Sequence, residues 1–305
     1  MSILSKFTLP VALLNTVSGI VINDAIGLAG SEAYAAQFDA VVGIGYYDQN
    51  NDAVIYGTGV LIDEYTILTA SHNKVNSLGQ DYIFFGTDAS APTAVFAADT
   101  FIDDFSTGNS VYGDGTDLAL VKLSTAITSV DPMSLTYDFS TVLGMEATVT
   151  GYGFSGIGSE GTSNFDNTIR YAGTNVIDDY LSEDNGYRWV LDFDNGSETY
   201  NSLGSATPTT YEASIASGDS GGPLLVQNGD GEWVVAGITN AGFTPDGSDD
   251  AGYGEVTLFT GLAPAASWLD YYTNANVVSI STVPEPSSLA FLASGVGLLA
   301  LRRRR

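Results

Sequence analysis

The sequence lacks cysteine altogether and contains a single histidine, His72, among its 305 residues. The absence of cysteine excludes disulfide bonds, thiol chemistry and thiolate metal sites. A lone histidine also excludes a metal site built from several imidazoles. Basic residues are scarce, with nine Lys and Arg against 36 Asp and Glu and a formal net charge of −27. Because such a charge repels phosphate backbones, we do not expect nucleic acid as a partner.

Short runs rich in valine, isoleucine, threonine and tyrosine alternate with glycine, aspartate and asparagine along the chain. This alternation is typical of β-strands joined by tight turns, and few long amphipathic stretches interrupt it. Hydrophobic residues make up 44% of the sequence, which is enough to bury a sizeable core. The length suits one large domain or two small ones, so we expect a folded protein of the all-β class.

The first 19 residues resemble a short secretory signal, because Lys6 precedes the apolar run LPVALL. Cleavage after Gly19 would leave a mature chain that starts with Ile-Val. Cleavage after Ala35 matches the small-residue A-x-A pattern better, although Asp24 would interrupt its apolar region. An ordinary buried N-terminal segment is the alternative to a signal.

The C-terminus combines a Pro-Glu-Pro triplet, an apolar run from Leu289 to Leu301 and four final arginines. With its flanking residues the run predicts a membrane-spanning helix, whose arginines favour the cytoplasmic side. This order, within residues 279–305 and their Ser/Thr/Pro linker, resembles the PEP-CTERM sorting signal of Gram-negative bacteria. The resemblance implies export, transient membrane anchoring and processing by an exosortase. A plain C-terminal membrane anchor is the alternative.

The heptapeptide SGDSGGP, residues 217–223, places a serine among small, turn-forming residues. A serine hydroxyl becomes an effective nucleophile only with a base within hydrogen-bond reach and a carboxylate that orients the base. His72, at the end of a predicted strand over residues 66–69, is the only histidine that can serve. Asp117 directly precedes the apolar run LALVKL and is the preferred carboxylate, while Asp114 is the rival.

Six segments resemble, in this order, motifs of the chymotrypsin-like (trypsin-fold) serine proteases. They are TASH at 69–72, TDLALVKL at 116–123, VTGYG at 149–153, GDSGGP at 218–223, AGIT at 236–239 and SWL at 267–269. The likeness covers about residues 38–272. It implies two six-stranded antiparallel barrels, over about residues 38–135 and 136–262, with a short terminal helix over about residues 264–272.

The resemblance also implies how the site works. Ser220 would attack the substrate carbonyl, His72 would accept and return its proton, and Asp117 would orient the imidazole. The backbone amides of Gly218 and Ser220 would form the oxyanion hole.

The same family uses the aspartate before the nucleophile in activation. Here Asp219 would form a salt bridge with the α-amino group of Ile20, provided that the mature chain starts after Gly19. If cleavage falls after Ala35 instead, Ala36 would be the new start and Ile20 would no longer be part of the mature chain.

The resemblance places Ser214 at the floor of the specificity pocket. The wall would be formed by Thr239, Asn240, Ala241 and Gly242. A serine floor favours uncharged substrate side chains, whereas Glu212 and Glu255 lie close in sequence and could reverse that preference.

Aspartates are concentrated in two loops, over residues 103–117 and 245–250. Their oxygens are candidate calcium ligands, but neither loop has EF-hand spacing, so we expect solvated loops and no metal. The sequence thus predicts an exported, monomeric serine endopeptidase that needs no cofactor and acts on protein or peptide substrates. An exosortase-type enzyme and the membrane are its expected C-terminal partners. The alternatives are a catalytically silent trypsin-fold binding protein of the envelope or matrix, and an esterase with the same triad.

Overall fold

The computed structural model describes residues 20–74, 80–106, 115–245 and 251–280. The predicted signal at residues 1–19 and the predicted membrane-spanning run lie outside these ranges. Within them, no helix is long and apolar enough to cross a membrane. Strands dominate the described part of the chain and its helices are short, which confirms the prediction of a mainly β fold.

The described chain begins with a segment that is built into the fold. Strand β1 (Val21–Ile22) is buried, and helix α1 (Gly27–Ala35) follows it. The hydroxyl of Ser31, on α1, donates to the carbonyl of Ala172 at 2.7 Å and accepts from the Ala172 amide at 3.1 Å. The segment is therefore tied to the second half of the chain rather than lying loose on its surface.

The first half of the chain forms a closed barrel of six strands. These are β2 (Val41–Tyr47), β3 (Ala53–Asp63), β4 (Thr66–Thr69), β5 (Tyr82–Phe85), β6 (Ala94–Ile102) and β7 (Ala119–Leu123). The barrel closes in the order β2-β3-β4-β7-β6-β5 through antiparallel pairs. Its interior is filled by branched aliphatic and phenylalanine side chains, which suit the pleated surface of strands. The first predicted barrel is confirmed.

The second half carries more strands than the six predicted. They are β8 (Ser134–Leu135), β9 (Glu146–Gly151), β10 (Ser155–Ile157), β11 (Gly161–Asn164), β12 (Tyr171–Val176), β13 (Asp179–Ser182), β14 (Tyr187–Asp192), β15 (Ala213–Ser214), β16 (Pro223–Gln227), β17 (Trp233–Phe243) and β18 (Val256–Gly261). One sheet runs β12-β9-β16-β17-β18-β14-β13, with β8 attached to β17. A four-stranded sheet, β11-β10-β1-β15, lies beside it. The prediction of a second six-stranded barrel is not confirmed.

Two short helices complete the described structure. Helix α2 (Phe139–Val142) precedes β9, and helix α3 (Ala266–Tyr272) follows a 3-10 turn at Ala263–Ala265. Helix α3 packs on the first barrel, because the indole of Trp268 and the hydroxyl of Tyr272 both donate to the carboxylate of Asp104. The terminal helix thereby returns the end of the chain to its first half.

A fully buried arginine joins the two halves. The guanidinium of Arg170 donates to three backbone carbonyls, of Val41 at 2.8 Å, Ala35 at 3.2 Å and Gly86 at 3.3 Å. Arg170 lies next to β12, whereas these acceptors lie in the first barrel and at the end of α1. Because one guanidinium donates to all three carbonyls, this side chain links three segments of the chain.

We expect Arg170→Met to lower the free energy of unfolding by roughly 3–5 kcal/mol, because three buried carbonyls lose their charged donor. Urea unfolding of the purified protein measures the loss. Lys74→Met is the matched control, since it breaks an exposed ion pair with Asp103 and should change stability by about 0.5 kcal/mol or less. Equal losses in both variants would contradict the proposed link.

Candidate functional site

The sequence delivers His72 to the barrel end through a buried strand. All four residues of β4 are buried, and the chain then enters a 3-10 turn at Ser71–Asn73. The side chain of His72 is 14% exposed, so the ring is largely buried but keeps some access to solvent. A strand that ends at a tight turn fixes the direction in which the imidazole leaves the barrel.

The carboxylate of Asp117 holds this histidine at two points. Its Oδ2 lies 2.7 Å from His72 Nδ1, and its Oδ1 accepts the His72 backbone amide at 3.0 Å. Asn240 Nδ2 donates to the same Oδ2 at 2.6 Å. Asp117 is 2% exposed, and three donors satisfy a carboxylate that has left water. Position and tautomer of the imidazole are therefore set by one buried group.

Residues 217–222 around Ser220 form the serine loop. Two of its glycines have positive φ, Gly218 at +94° and Gly221 at +83°. A Cβ at Gly221 would collide with Thr69 Oγ1 and the Thr58 carbonyl, so the loop approaches the first barrel more closely than a larger residue allows. The loop is thus pressed against the strands that also carry the histidine.

The backbone of Ser220 accepts a hydrogen bond from Asn73, the residue that follows His72. Its carbonyl oxygen accepts Asn73 Nδ2 at 2.6 Å and the backbone amide of Thr58 at 2.8 Å. The hydroxyl of Thr58 donates to the carbonyl of Gly218 at 2.8 Å. These hydrogen bonds hold the serine loop, in the second half of the chain, against the histidine turn at Ser71–Asn73 in the first half.

Two amides of the serine loop are left without acceptors in the described part of the chain. The amides of Asp219, Gly221 and Gly222 donate to the carbonyls of Ala216, Thr239 and Asp219. The alternate amides, of Gly218 and Ser220, donate to no protein atom within the described ranges. Such alternate amides in a tight loop can bind an anionic oxygen.

Asp219, the acid of this loop, is fully buried, with 0% exposure. Its carboxylate accepts the amides of Ala216 at 2.9 Å and Gly153 at 3.0 Å. Burial raises its pKa to about 7, and the two backbone donors oppose that rise. Among the described residues, no Lys, Arg or His forms an ion pair with it.

Strand β1 leads towards this carboxylate. Val21 lies opposite Ser214 on one side and opposite Gly156 on the other. The antiparallel register places Ile20 one residue further, level with residue 215 and next to the Ala216 amide that Asp219 accepts. Ile20 is 1% exposed, so the beginning of the described chain is buried in this region.

The residues predicted to form the specificity pocket differ in their burial and contacts. Ser214 and Thr239 are buried, and Ala241 and Gly242 are half-exposed on β17. Asn240, predicted on the pocket wall, has its side chain on Asp117 instead. Glu212 is engaged elsewhere, because its carboxylate accepts the amide and hydroxyl of Thr209, both at 2.6 Å.

Several carboxyl groups crowd together around the ends of β13, β14 and β15. Burial raises the pKa of Asp178 to about 8, with a further rise from the charge of Asp192. Burial likewise raises the pKa of Asp194 to about 7 and that of Glu212 to about 7. Within the described ranges, no group of three or more acids and histidines has the arrangement of a metal site. The rival triad residue Asp114 and most of the two aspartate-rich loops lie outside those ranges.

Sequence reasoning missed three polar residues that assemble the site: Thr58, Asn73 and Arg188. Thr58 and Asn73 are buried polar side chains beside the Gly57–Gly59 and TASH segments. Arg188 is a buried base in the strand YRWVLD of a strongly acidic chain. A basic residue within an apolar strand was the available signal, since burial of such a charge requires a partner.

Comparisons with known proteins were made for the whole chain. The model of the family described as Trypsin matches residues 28–269. The model of the PEP-CTERM protein-sorting motif matches residues 282–305. A comparison with curated proteins finds no match.

The crowded carboxyl groups predict a fall in stability as the pH rises. Their folded pKa values of about 7 and about 8 exceed the ordinary values near 4, so between these limits the folded chain holds protons that the unfolded chain has lost. The free energy of unfolding therefore decreases from about pH 4 to pH 8 on their account. Asp178→Asn should stabilise the protein at pH 8.5, and the gain should shrink towards pH 5.

Thermal unfolding at both pH values measures this effect. Asp230→Asn, which changes an exposed carboxylate, is the control and should behave alike at both. The same difference from wild type at pH 5 and pH 8.5 for Asp178→Asn would show that its carboxyl does not titrate in this range.

Proposed function

Because this chain belongs to the trypsin family, we propose that it is a serine endopeptidase with the triad Ser220, His72 and Asp117. The observation that carries the proposal is the double hydrogen bond at the Ser220 carbonyl. It joins the serine loop to Asn73, whose neighbour His72 is held by Asp117. This contact supports the convergence that a hydroxyl nucleophile and its base require.

The reaction proceeds in two halves. In the first, Ser220 Oγ bonds to the peptide carbonyl carbon while its proton passes to His72 Nε2. The imidazolium then gives that proton to the leaving amine as the C–N bond breaks, which leaves an acyl-enzyme. In the second half, His72 takes a proton from water, the hydroxide attacks the ester, and the proton returns to Ser220. Asp117 stabilises the imidazolium throughout from its position on Nδ1.

The amides of Gly218 and Ser220 stabilise the negative oxygen of each tetrahedral intermediate. Support for this role comes from their lack of protein acceptors among the described residues. In the ordered loop they need no rearrangement when charge develops, which is why such donors are worth roughly 3–4 kcal/mol each.

The pocket accepts an uncharged side chain of the substrate. Ser214 brings no charge to its floor, and Thr239, Ala241 and Gly242 offer none along its wall. Glu212, one of the two nearby acids in sequence, is bonded to Thr209, and Glu255, the other, is buried. The preference is therefore for apolar or small polar residues rather than lysine or arginine.

The mature chain begins at Ile20. Residues 20–36 contribute a buried strand and the anchored helix α1, so cleavage after Ala35 would remove packed structure. Cleavage after Gly19 would instead create an α-ammonium group near Asp219, a buried acid that lacks a cationic partner among the described residues. The ion pair would order the serine loop, and it needs no cofactor.

The C-terminal sorting motif supports an activity outside the cytoplasm. We infer that the chain is exported by a Gram-negative bacterium as a monomer, is held transiently in the membrane through residues 279–305, and is released by an exosortase-type enzyme. Its substrates are proteins or peptides of the envelope or the surroundings.

Ser220→Ala should lower the catalytic rate by roughly a millionfold and abolish labelling by a fluorophosphonate, because both require the activated hydroxyl. Ser217→Ala is the matched control from the same loop and should retain labelling. Unlabelled but folded wild-type protein would favour the silent binding protein, and hydrolysis of esters without peptides would favour the esterase.

The N-terminal proposal has its own test. Mass spectrometry of the exported protein should find Ile20 as the first residue. A chain engineered to start at Ile20 should be at least about a hundredfold more active than one that retains Gly19, because only the former places a charge beside Asp219. Equal activities would refute the ion pair.

A further inference from the structure

A line of buried hydrogen bonds extends beyond the proposed triad. Arg188 NH2 donates to Glu183 Oε1, and Arg188 NH1 donates to Asn240 Oδ1 at 3.1 Å. Asn240 Nδ2 then donates to Asp117 Oδ2 at 2.6 Å, and that oxygen lies 2.7 Å from His72 Nδ1. The side chains of Arg188 and Glu183 are only 8% and 13% exposed. The line therefore runs through the interior from an ion pair to the imidazole.

The backbone explains how these side chains meet. The pairing of β17 with β18 shifts between Thr239 and Ala241, so Asn240 is the extra residue of a β-bulge. A bulge redirects the side chain it carries, and here the amide leaves the pocket wall for Asp117. Arg188 lies on β14, on the far side of β18, and its long side chain reaches across that strand to Asn240.

The chemistry of arginine settles which way the Asn240 amide faces. A side-chain amide has an acceptor oxygen at one position and a donor NH₂ at the other, and the two exchange by a half-turn. A guanidinium can only donate, so it binds the amide oxygen and rejects the NH₂ group. The NH₂ group is then directed to Asp117. After a half-turn, the amide oxygen would face the carboxylate and leave it with one donor fewer.

We propose that Arg188 is a positioning residue that acts through Asn240. It keeps the Asn240 NH₂ on Asp117, and so keeps Asp117 placed to orient His72. Glu183 balances the charge of Arg188, which allows the guanidinium to remain in the interior. The inference rests on the proposed function, since it assigns these residues to the orientation of the proposed base.

A double-mutant cycle tests the route through Asn240. Arg188→Met and Asn240→Ala should each lower kcat by about 10–100-fold, with KM within about twofold, because the second removes a donor to Asp117 and the first removes the group that orients that donor. With Asn240→Ala already present, Arg188→Met should cost less than about threefold, since no amide remains to be oriented. Independent losses that multiply in the double variant would overturn the proposal.

Arg170→Met is the matched control for loss of a buried guanidinium. It should reduce stability but leave kcat per folded molecule within about threefold, because Arg170 lies where the two halves of the chain meet and, in the described part of the chain, is not hydrogen-bonded to the triad residues. Folded active molecules are counted by fluorophosphonate titration. If Arg170→Met lowers kcat as much as Arg188→Met, then Arg188 is merely structural and the proposal fails.

A spectroscopic readout separates this proposal from the proposed function. His72 is the only histidine, so its Nδ1–H proton gives a single imidazole resonance in the NMR spectrum. Arg188→Met should shift or broaden that resonance, whereas Arg170→Met should not. This holds even if the wild-type protein shows no turnover, which would refute the protease alone. An unchanged resonance in Arg188→Met would overturn the positioning role.

Asn240→Asp covers the case in which Arg188→Met does not fold. It conserves the shape of Asn240 and its contact with Arg188 but replaces the NH₂ donor by a carboxylate oxygen. The expected result is a fall in kcat at least as large as that of Asn240→Ala. Unchanged kcat with an unchanged His72 resonance would show that the donor on Asp117 is not needed.

Discussion

One carbonyl oxygen, that of Ser220, connects the two halves of the molecule at the site. Both of its lone pairs are used, by the amide of Thr58 and the side chain of Asn73. In a chain without cysteine, no disulfide can hold the serine loop against the histidine turn. Hydrogen bonds between buried groups must do so, and each is costly to break because the partner would be left unsatisfied. The position of the serine therefore depends on polar contacts from the other half.

Two of the few basic residues in this acidic chain are buried and donate several hydrogen bonds in its interior. Between Lys6 and the terminal arginines the sequence has four: Lys74, Lys122, Arg170 and Arg188. Arg170 joins both halves through backbone carbonyls, and Arg188 is linked to the Asp117–His72 pair through Asn240. A guanidinium presents several donors in a fixed plane, so one side chain can satisfy several buried acceptors. Lysine, with a compact charge, could not replace either arginine in this way.

The sequence predicted the first barrel and paired His72 with Asp117, whose side chains the structure places 2.7 Å apart. The barrel followed from the resemblance to the trypsin-fold proteases, whereas the pairing was also favoured by a polar residue beside each of two predicted strands. The second half was less predictable, because period and turn residues do not reveal which strands pair or whether a sheet closes. The direction of Asn240 depends on a one-residue bulge, and the contact with Arg188 spans a strand. Local sequence indicates that Arg188 needs a partner, but it identifies neither that partner nor the bulge.

The burial of Asp219 connects the serine loop with the proposed cleavage before Ile20. An isolated carboxylate in the interior is unfavourable when charged, which is why burial raises its pKa to about 7. Hydrogen bonds from the amides of Ala216 and Gly153 reduce that cost, but they bring no positive charge. Under the proposed processing, a cation arrives only when the peptide bond before Ile20 is cut. The loop with the nucleophile would then be held in place by a charge that exists only after cleavage, so folding and activation become separate events. For the exported protease that we propose, this separation keeps the chain inactive until the peptide bond before Ile20 is cut.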